Sequence, residues 1–311
     1  MIAMADNCTP ICAHSRCKRL PGYAPMLLTQ CEECGIIIMH AGSAFDSTRN
    51  VYENYYRNEM SMRFEFGIEF IIRLFRLFRA FKIATIYPKA RSSLDIGSGR
   101  GYTLFYLKKY FGYTRATGTQ IAPAAIVFSR NKLRLDIRDN DLLNIEFDNT
   151  RFDLVTMWHV LEHANNPDRY VGRIYNLLNK HGKFIVEVPN FASWSSRLTT
   201  RYWLGLDPKY HRSCFTPSTL QAVLTKFGFT IKTVHTHSLE YSTFISVQSI
   251  VSRITHTDQF FFKWLQEPRA DWRLLPHILL FLILTPLCSI LNLLLYFSLL
   301  GEVVLVIAEK K

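Results

Sequence analysis

Apolar positions along the chain fall into two kinds of run. Short ones recur between turn signals: at Leu94-Asp95-Ile96, from Arg115 to Gln120, and over residues 133–137, 152–158, 184–188, 229–234 and 303–308. Each has the length of a strand, and near-continuous apolarity predicts strands buried on both faces. Helix-length segments lie between them, such as 103–110 and the stretch that Asn165-Asn166-Pro167 opens and that runs to Leu178. This alternation predicts an α/β fold around a mostly parallel sheet of seven strands. The last strand is expected to insert antiparallel beside the 229–234 strand.

Two longer runs stand apart. Residues 64–86 are dense in Phe, Ile and Leu and carry Arg73, Arg76, Arg79 and Lys82 at three-residue spacing, and Pro88 closes the segment. Cations in a row on an aromatic helix predict either an interfacial helix on anionic lipid or a lid with a solvated basic face. Residues 274–300 contain no charged residue. At 1.5 Å per residue, such a run reaches across a bilayer core of about 30 Å. The strands on either side must nevertheless share one compartment, and Pro286 divides the run into two short halves. The expectation is a helical hairpin that lies on one leaflet or dips into it, with Trp264, Arg269, Trp272 and Arg273 at the headgroups. A dimer interface or a cap over the pocket is the alternative.

The segment Leu94-Asp95-Ile96-Gly97-Ser98-Gly99-Arg100-Gly101 joins the first of these strands to a helix. A turn this tight needs residues without a Cβ, and the helix that follows points its free N–H groups at whatever the turn holds. The dinucleotide spacing fails, because its third glycine position is Tyr102. Asp-x-Gly-x-Gly-x-Gly instead resembles motif I of class I S-adenosylmethionine-dependent methyltransferases, which implies a Rossmann-like sheet. It also implies that Asp95, Gly97, Ser98, Gly99 and Gly101 hold the methionine end and ribose of S-adenosyl-L-methionine. Where the family usually has an acid for the ribose hydroxyls, this chain has Gln120. Asp141, with Leu142 beside it, resembles the adenine-binding position, and Asp139 competes for that role.

Phe152-Asp153-Leu154-Val155 followed by His159-Val160-Leu161-Glu162-His163, and later Pro189-Asn190, Trp203 to His211 and Phe215-Thr216-Pro217, come in the order of one branch. The chain resembles its ubiquinone-biosynthesis-like and polysaccharide-cluster methyltransferases over about two thirds of its length. The tetrapeptide that amine methylators of nucleic acid present after strand four is absent, which points to an oxygen acceptor, with carbon as the second choice. Methyl transfer needs an in-line acceptor and a group to take its proton, and a histidine suits that at neutral pH. His163 and His211 are the candidate bases, with His159, Trp158 and Asp207 lining the acceptor pocket. His159 and His163 lie four apart and share a helical face, but the spacing of Glu162 differs from the usual metal motif.

Composition narrows the partners. The net charge of +12 suits membrane headgroups, nucleic acid or an acidic substrate. The apolar tail and the missing amine motif disfavour nucleic acid, and an RNA methyltransferase or a non-catalytic membrane adaptor are the competing readings. The acceptor class left is a small molecule, a glycan or a lipid-linked compound. Five of the seven cysteines precede residue 35, an arrangement unlike a secreted disulfide scaffold. Cys31-Glu32-Glu33-Cys34-Gly35 is half of a zinc ribbon, and Cys12 with Cys17 is the nearest spacing for the other half, with Cys8 and His14 as substitutes. No apolar segment follows Met1, so the expected compartment is cytoplasmic, with peripheral or monotopic attachment to the membrane. The expected organisation is a cysteine module over 1–45, a basic helical linker over 46–90, and a cofactor domain over 91–239 and 301–311. A membrane-associated insertion over 240–300 completes it.

Overall fold

The computed structural model describes residues 12, 14, 16–40 and 66–311. Cys8 and the tyrosine-rich segment 51–56 lie outside the described residues. Seven strands form the central sheet: β4 (Ser92–Ile96), β5 (Arg115–Gln120), β6 (Asp136–Asp139), β7 (Phe152–Trp158), β8 (Leu178–Pro189), β10 (Phe229–His235) and β11 (Val303–Lys310). Their spatial order is β10-β11-β8-β7-β4-β5-β6. The five strands from β6 to β8 run parallel, and β11 is antiparallel to both neighbours. This is the Rossmann-like fold expected, with the final strand inserted between β8 and β10. Leu94, Leu154, Val155, Phe184, Val186 and Val306 are fully buried, as an apolar strand covered on both faces requires.

Helices α1 (Phe66–Ile86), α2 (Tyr102–Tyr110), α3 (Pro123–Asn131), α4 (Pro167–Leu177), α5 (Trp194–Thr199) and α6 (Pro217–Lys226) cover the sheet. Local chemistry sets their starts. Asn166 caps α4 by accepting from the Arg169 N–H, and Thr216 and Thr219 form a reciprocal cap on α6, each with proline in the first turn.

Between β10 and β11 come α7 (Ser242–Thr255), α8 (Phe260–Gln266) and α9 (Leu274–Leu294). The run expected to fold back as a hairpin is one continuous helix of 21 residues, with Pro286 inside it. Packing explains its continuity. His277, Cys288 and Asn292 are buried in a stripe along α9, and Leu280, Phe281, Leu284 and Cys288 pack on Val247 and Val251 of α7. Tertiary packing on one side thus holds the helix through a residue that removes one backbone hydrogen bond.

The cysteine-rich segment is not a free-standing module. β1 (Cys17–Arg19), β2 (Leu27–Cys31) and β3 (Ile37–His40) make a small antiparallel sheet that β9 (Ser213–Cys214) completes. Ile37 pairs with Cys214, and the Met39 N–H donates to the Arg212 carbonyl. The amino-terminal sheet is therefore anchored next to His211.

Candidate active site

The turn after β4 has the backbone that its glycines predict. Gly97, Gly99 and Gly101 have φ of 67°, 55° and 76°, all left-handed. A Cβ on Gly97 would collide with the side chain of Val160, and one on Gly101 with Leu135. The Gly97 N–H donates to Thr119 Oγ1 and the Ser98 N–H to the Thr119 carbonyl, which fixes the turn against β5. α2 starts at Gly101 without a side-chain cap, so its first N–H groups face the turn.

Asp95 is buried below this turn and accepts from the Thr156 hydroxyl at 2.6 Å. Burial pushes its carboxyl up to about 6, against the pull of Thr156, Arg79 and Arg76. Gln120 uses its carbonyl oxygen locally, accepting from the N–H groups of Ile121 (2.8 Å) and Ala122 (3.0 Å). Its amide NH₂ is then the part left to meet a ligand hydroxyl, so the polarity is the reverse of a carboxylate. Asp141 accepts from the Leu143 N–H at 2.9 Å and from the Tyr170 hydroxyl, and Leu142 is buried beside it. Asp139 ends β6 on the exposed side. Trp158 ends β7, and its indole N–H is buried with no hydrogen-bond partner among the described residues.

α1 roofs this crevice. Arg79 lies over the Trp158 ring at 4.0 Å, and Arg76 and Arg79 both bind Glu240, which their charge holds ionised despite its burial. Arg76 also donates to the Tyr241 hydroxyl at 3.2 Å, and Arg100 of the glycine turn pairs with Glu69 of α1. The expected basic outer face is thus turned inward: of the four cations in the row, Lys82 alone is exposed. Sequence periodicity gave the row but not its direction. Direction depends on Glu240, more than 150 residues away, and no local pattern reports that.

The three histidines occupy different environments. His159 follows β7 with a left-handed φ of 53° and sits between Glu162 (3.5 Å) and Glu187 (3.3 Å). Burial opposes its charge, but the two carboxylates hold it protonated well above the usual imidazole range. At neutral pH it is an imidazolium with no lone pair to offer, which suits positioning rather than proton uptake. His163 and His211 lie together, with ring centroids 4.8 Å apart. Their Nδ1 atoms are 3.0 Å from the carbonyls of Tyr210 and Gly205 respectively. A carbonyl only accepts, so Nδ1 carries the proton in each neutral ring and Nε2 holds the lone pair. Burial and the neighbouring His163 depress His211 to about 4, so it is neutral at physiological pH. One Glu162 carboxylate oxygen and one nitrogen from each ring lie within 4.8 Å of one another. Asp207 accepts from the Lys209 N–H, and its carbonyl accepts from the His211 N–H at 2.8 Å, so it shapes the turn that carries His211.

Glu187 was not foreseen, although a lone carboxylate inside the apolar run Phe184-Ile185-Val186-Glu187-Val188 is a readable signal that something must pair with it.

In the amino-terminal sheet, Cys12, His14, Cys31 and Cys34 place four donor atoms within 4.8 Å of one another. Cys17 does not join them: it is disulfide-bonded. His14 takes the fourth corner, with Nδ1 3.3 Å from Cys31 Sγ. The N–H groups of Cys34 and Glu33 draw the Cys31 thiol down to about 7 against the effect of burial, while burial raises Cys12 to about 12. Three thiols and an imidazole at this spacing fit a tetrahedral zinc set.

A family model described as a methyltransferase domain matches residues 65–234, more than half of the chain. The chain belongs to this methyltransferase-domain family. Among curated relatives, a Mycolicibacterium smegmatis protein named a probable S-adenosylmethionine-dependent methyltransferase is 25% identical over 143 residues. That alignment covers 46% of this chain and 53% of the relative, so the chain spans about half the length of the relative it matches. Among solved structures, a candidate sarcosine dimethylglycine methyltransferase from Galdieria sulphuraria superposes with a TM-score of 0.51 at 11% identity, covering 84% of this chain and 93% of the other. A SAM-dependent methyltransferase from Archaeoglobus fulgidus gives 0.49 at 20% identity, covering 76% and 94%. At its identity the Galdieria sulphuraria structure speaks to the fold alone. The mostly parallel sheet and the left-handed glycine turn agree with membership of this methyltransferase-domain family.

Proposed function

We propose that this enzyme methylates an oxygen of a small, glycan or lipid-linked acceptor, with the His163–His211 pair taking the proton. The observation that carries the reading is the pair itself. Both rings are pinned by Nδ1–H bonds to carbonyls, one ring is neutral, and a buried carboxylate stands beside them. Proton uptake by this pair leaves an imidazolium next to Glu162, whose own carboxyl is held in its ionised form by His159 despite burial.

The residues fit S-adenosyl-L-methionine. The left-handed glycine turn admits a ligand against the backbone, Asp95 suits a cationic methionine end, and the unpaired Trp158 N–H and the Gln120 amide supply donors. When bound, the cofactor supplies an electrophilic methyl group. Arg76 and Arg79, tied to Glu240, cover the crevice from above.

Cofactor binding should report Asp95. Its carboxyl is protonated below about 6, and a cationic ligand favours the ionised form. Calorimetry in buffers of different ionisation enthalpy should therefore show proton release that approaches one proton near pH 5 and fades above pH 7. Affinity should rise by up to about tenfold per pH unit and level off above pH 7. Binding without a proton, or tighter binding at low pH, would remove Asp95 from the cofactor site; absence of binding would remove the enzymatic reading.

The cysteine cluster is proposed as a structural zinc site. The full chain should carry one equivalent of zinc by elemental analysis, His14→Ala and Cys34→Ser should lose it, and Cys17→Ser should keep it. Zinc retained in the first two and lost in the third would restore the cysteine-only set.

A further inference from the structure

α1 and α9 share an unusual polarity. Water-facing helices turn charges outward; α9 lacks them, and α1 turns all but Lys82 toward the protein. On α1, Arg76 and Arg79 are engaged with Glu240, while Phe70, Ile71, Leu74, Phe78 and Phe81 are 45–56% exposed. On α9, Leu275, Leu279, Leu282, Ile283, Leu287, Ile290 and Leu294 recur at three- and four-residue steps along one face and are 51–74% exposed.

The polar side chains of α9 are all bonded within the protein. His277 Nδ1 pairs with the Arg273 carbonyl, Thr285 donates to the Phe281 carbonyl, Ser289 meets Thr243, and Asn292 bonds Ser246 and Trp194. The outward stripe therefore offers a partner no side-chain hydrogen bond. A protein partner of ordinary chemistry would want roughly one per 100–200 Å² of interface, whereas hydrocarbon wants none.

The ends of α9 have the opposite character. Trp272 (85% exposed) and the exposed Arg269, Arg273 and Lys263 mark its start, and Tyr296 and Phe297 (95% exposed) mark its finish. Aromatic and basic residues bounding an aliphatic stripe match a headgroup layer, and the net charge of +12 favours an anionic one.

The two helices are linked through α7 and the end of β10. Glu240, gripped by α1, lies just before α7; Thr243 at the start of α7 touches Ser289 of α9; and Tyr296 packs on the rings of His235 and His237. α9 is also packed on α7 along its length and is followed by β11, which shares its sheet with β10, so it lies along the domain rather than crossing a membrane.

We propose that the outward faces of α1 and α9 form one docking surface for an anionic lipid bilayer, and that the methyl acceptor is an amphiphile that reaches the crevice from that bilayer beneath α1. The second half rests on the methyl-transfer reading; the first does not.

The test uses the full chain with extruded vesicles of phosphatidylcholine alone or with about one third phosphatidylglycerol. The protein should sediment with the mixed vesicles. The triple variant Leu279→Ser, Ile283→Ser, Ile290→Ser and the double variant Phe70→Ser, Phe78→Ser should each lower partitioning at least about tenfold, with S-adenosylmethionine affinity unchanged as a check on folding. Wild-type protein that stays in solution, or that forms a dimer by light scattering and ignores vesicles, overturns the docking surface. With methyl-labelled S-adenosylmethionine and vesicles made from a total lipid extract, label should enter the organic phase, and less of it with the α1 variant. Label confined to the aqueous phase of an enzyme that binds its cofactor overturns the amphiphilic acceptor alone.

Discussion

Replacing His163 and His211 together by glutamine is expected to lower kcat by about 10²–10⁴-fold, the usual contribution of a positioned general base. S-adenosylmethionine affinity should stay within about twofold, because neither ring belongs to the glycine turn or to the Asp95 wall. Glutamine keeps volume and hydrogen bonding but takes up no proton. The single variants separate the roles. If His211 is the base, wild-type kcat should be flat above pH 5 and fall as acid approaches about 4, where that ring gains its proton. An acid limb that disappears in His163→Gln and persists in His211→Gln assigns the proton to His163 instead. Full turnover in the double variant would leave both histidines as supports of the turn from Gly205 to His211.

The second large effect is on stability. Glu302 is fully buried at the start of β11, where it meets the hydroxyls of Ser195 (2.6 Å) and Ser246 (3.0 Å) and the indole N–H of Trp203 (3.4 Å). Burial raises its carboxyl to about 7, more than the surrounding hydroxyls and indole lower it. Its proton is thus bound more tightly in the folded chain than in the unfolded one. The resulting stability is fully present below about 4.5 and is lost as pH rises through about 7. A shift of this size corresponds to about 3 kcal/mol between pH 4.5 and pH 8.5. Glu302→Gln should remove that slope and raise the alkaline Tm by roughly 5 °C.

The local geometry supports the substitution. The Ser246 hydroxyl has a single hydrogen and two acceptors in reach, the Ser242 carbonyl at 2.9 Å and Glu302 Oε1 at 3.0 Å. When that hydrogen goes to Ser242, a protonated Glu302, or a glutamine NH₂, donates to Ser246. Thermal unfolding at pH 5 and pH 8.5 checks this, and equal pH slopes in the two proteins would refute the buried-acid account.

The sheet was legible in the sequence because apolar strands covered on both faces leave a simple one-dimensional signature. Element edges moved by a few residues: the 133–137 strand is Asp136–Asp139, and the 184–188 strand reaches back to Leu178. The glycine turn was legible for a different reason, since three alternating left-handed positions leave few residues that fit. The orientation of α1 was not legible. Arg73, Arg76 and Arg79 define a helical face, but the charge that claims it comes from Glu240, which reads locally as a loop residue. Pro286 misled in the same way, because the packing of α9 on α7 that keeps the helix whole is a tertiary fact. At the cysteines, spacing favoured Cys17 over His14, whereas the donor cluster closes through His14. The histidines were found by type and position, but the separation of the His159 imidazolium from the His163–His211 pair required Glu187, the order of strands in the sheet and the turn at Gly205.

The place of β11 has a consequence for biosynthesis. It fills the gap between β8 and β10, and it emerges from the ribosome only after α9. Until then the nascent sheet carries two unsealed edges and a greasy helix with no roof. Translation order therefore leaves α9 outside the ribosome before the sheet is sealed, so completion of the core waits for the last strand.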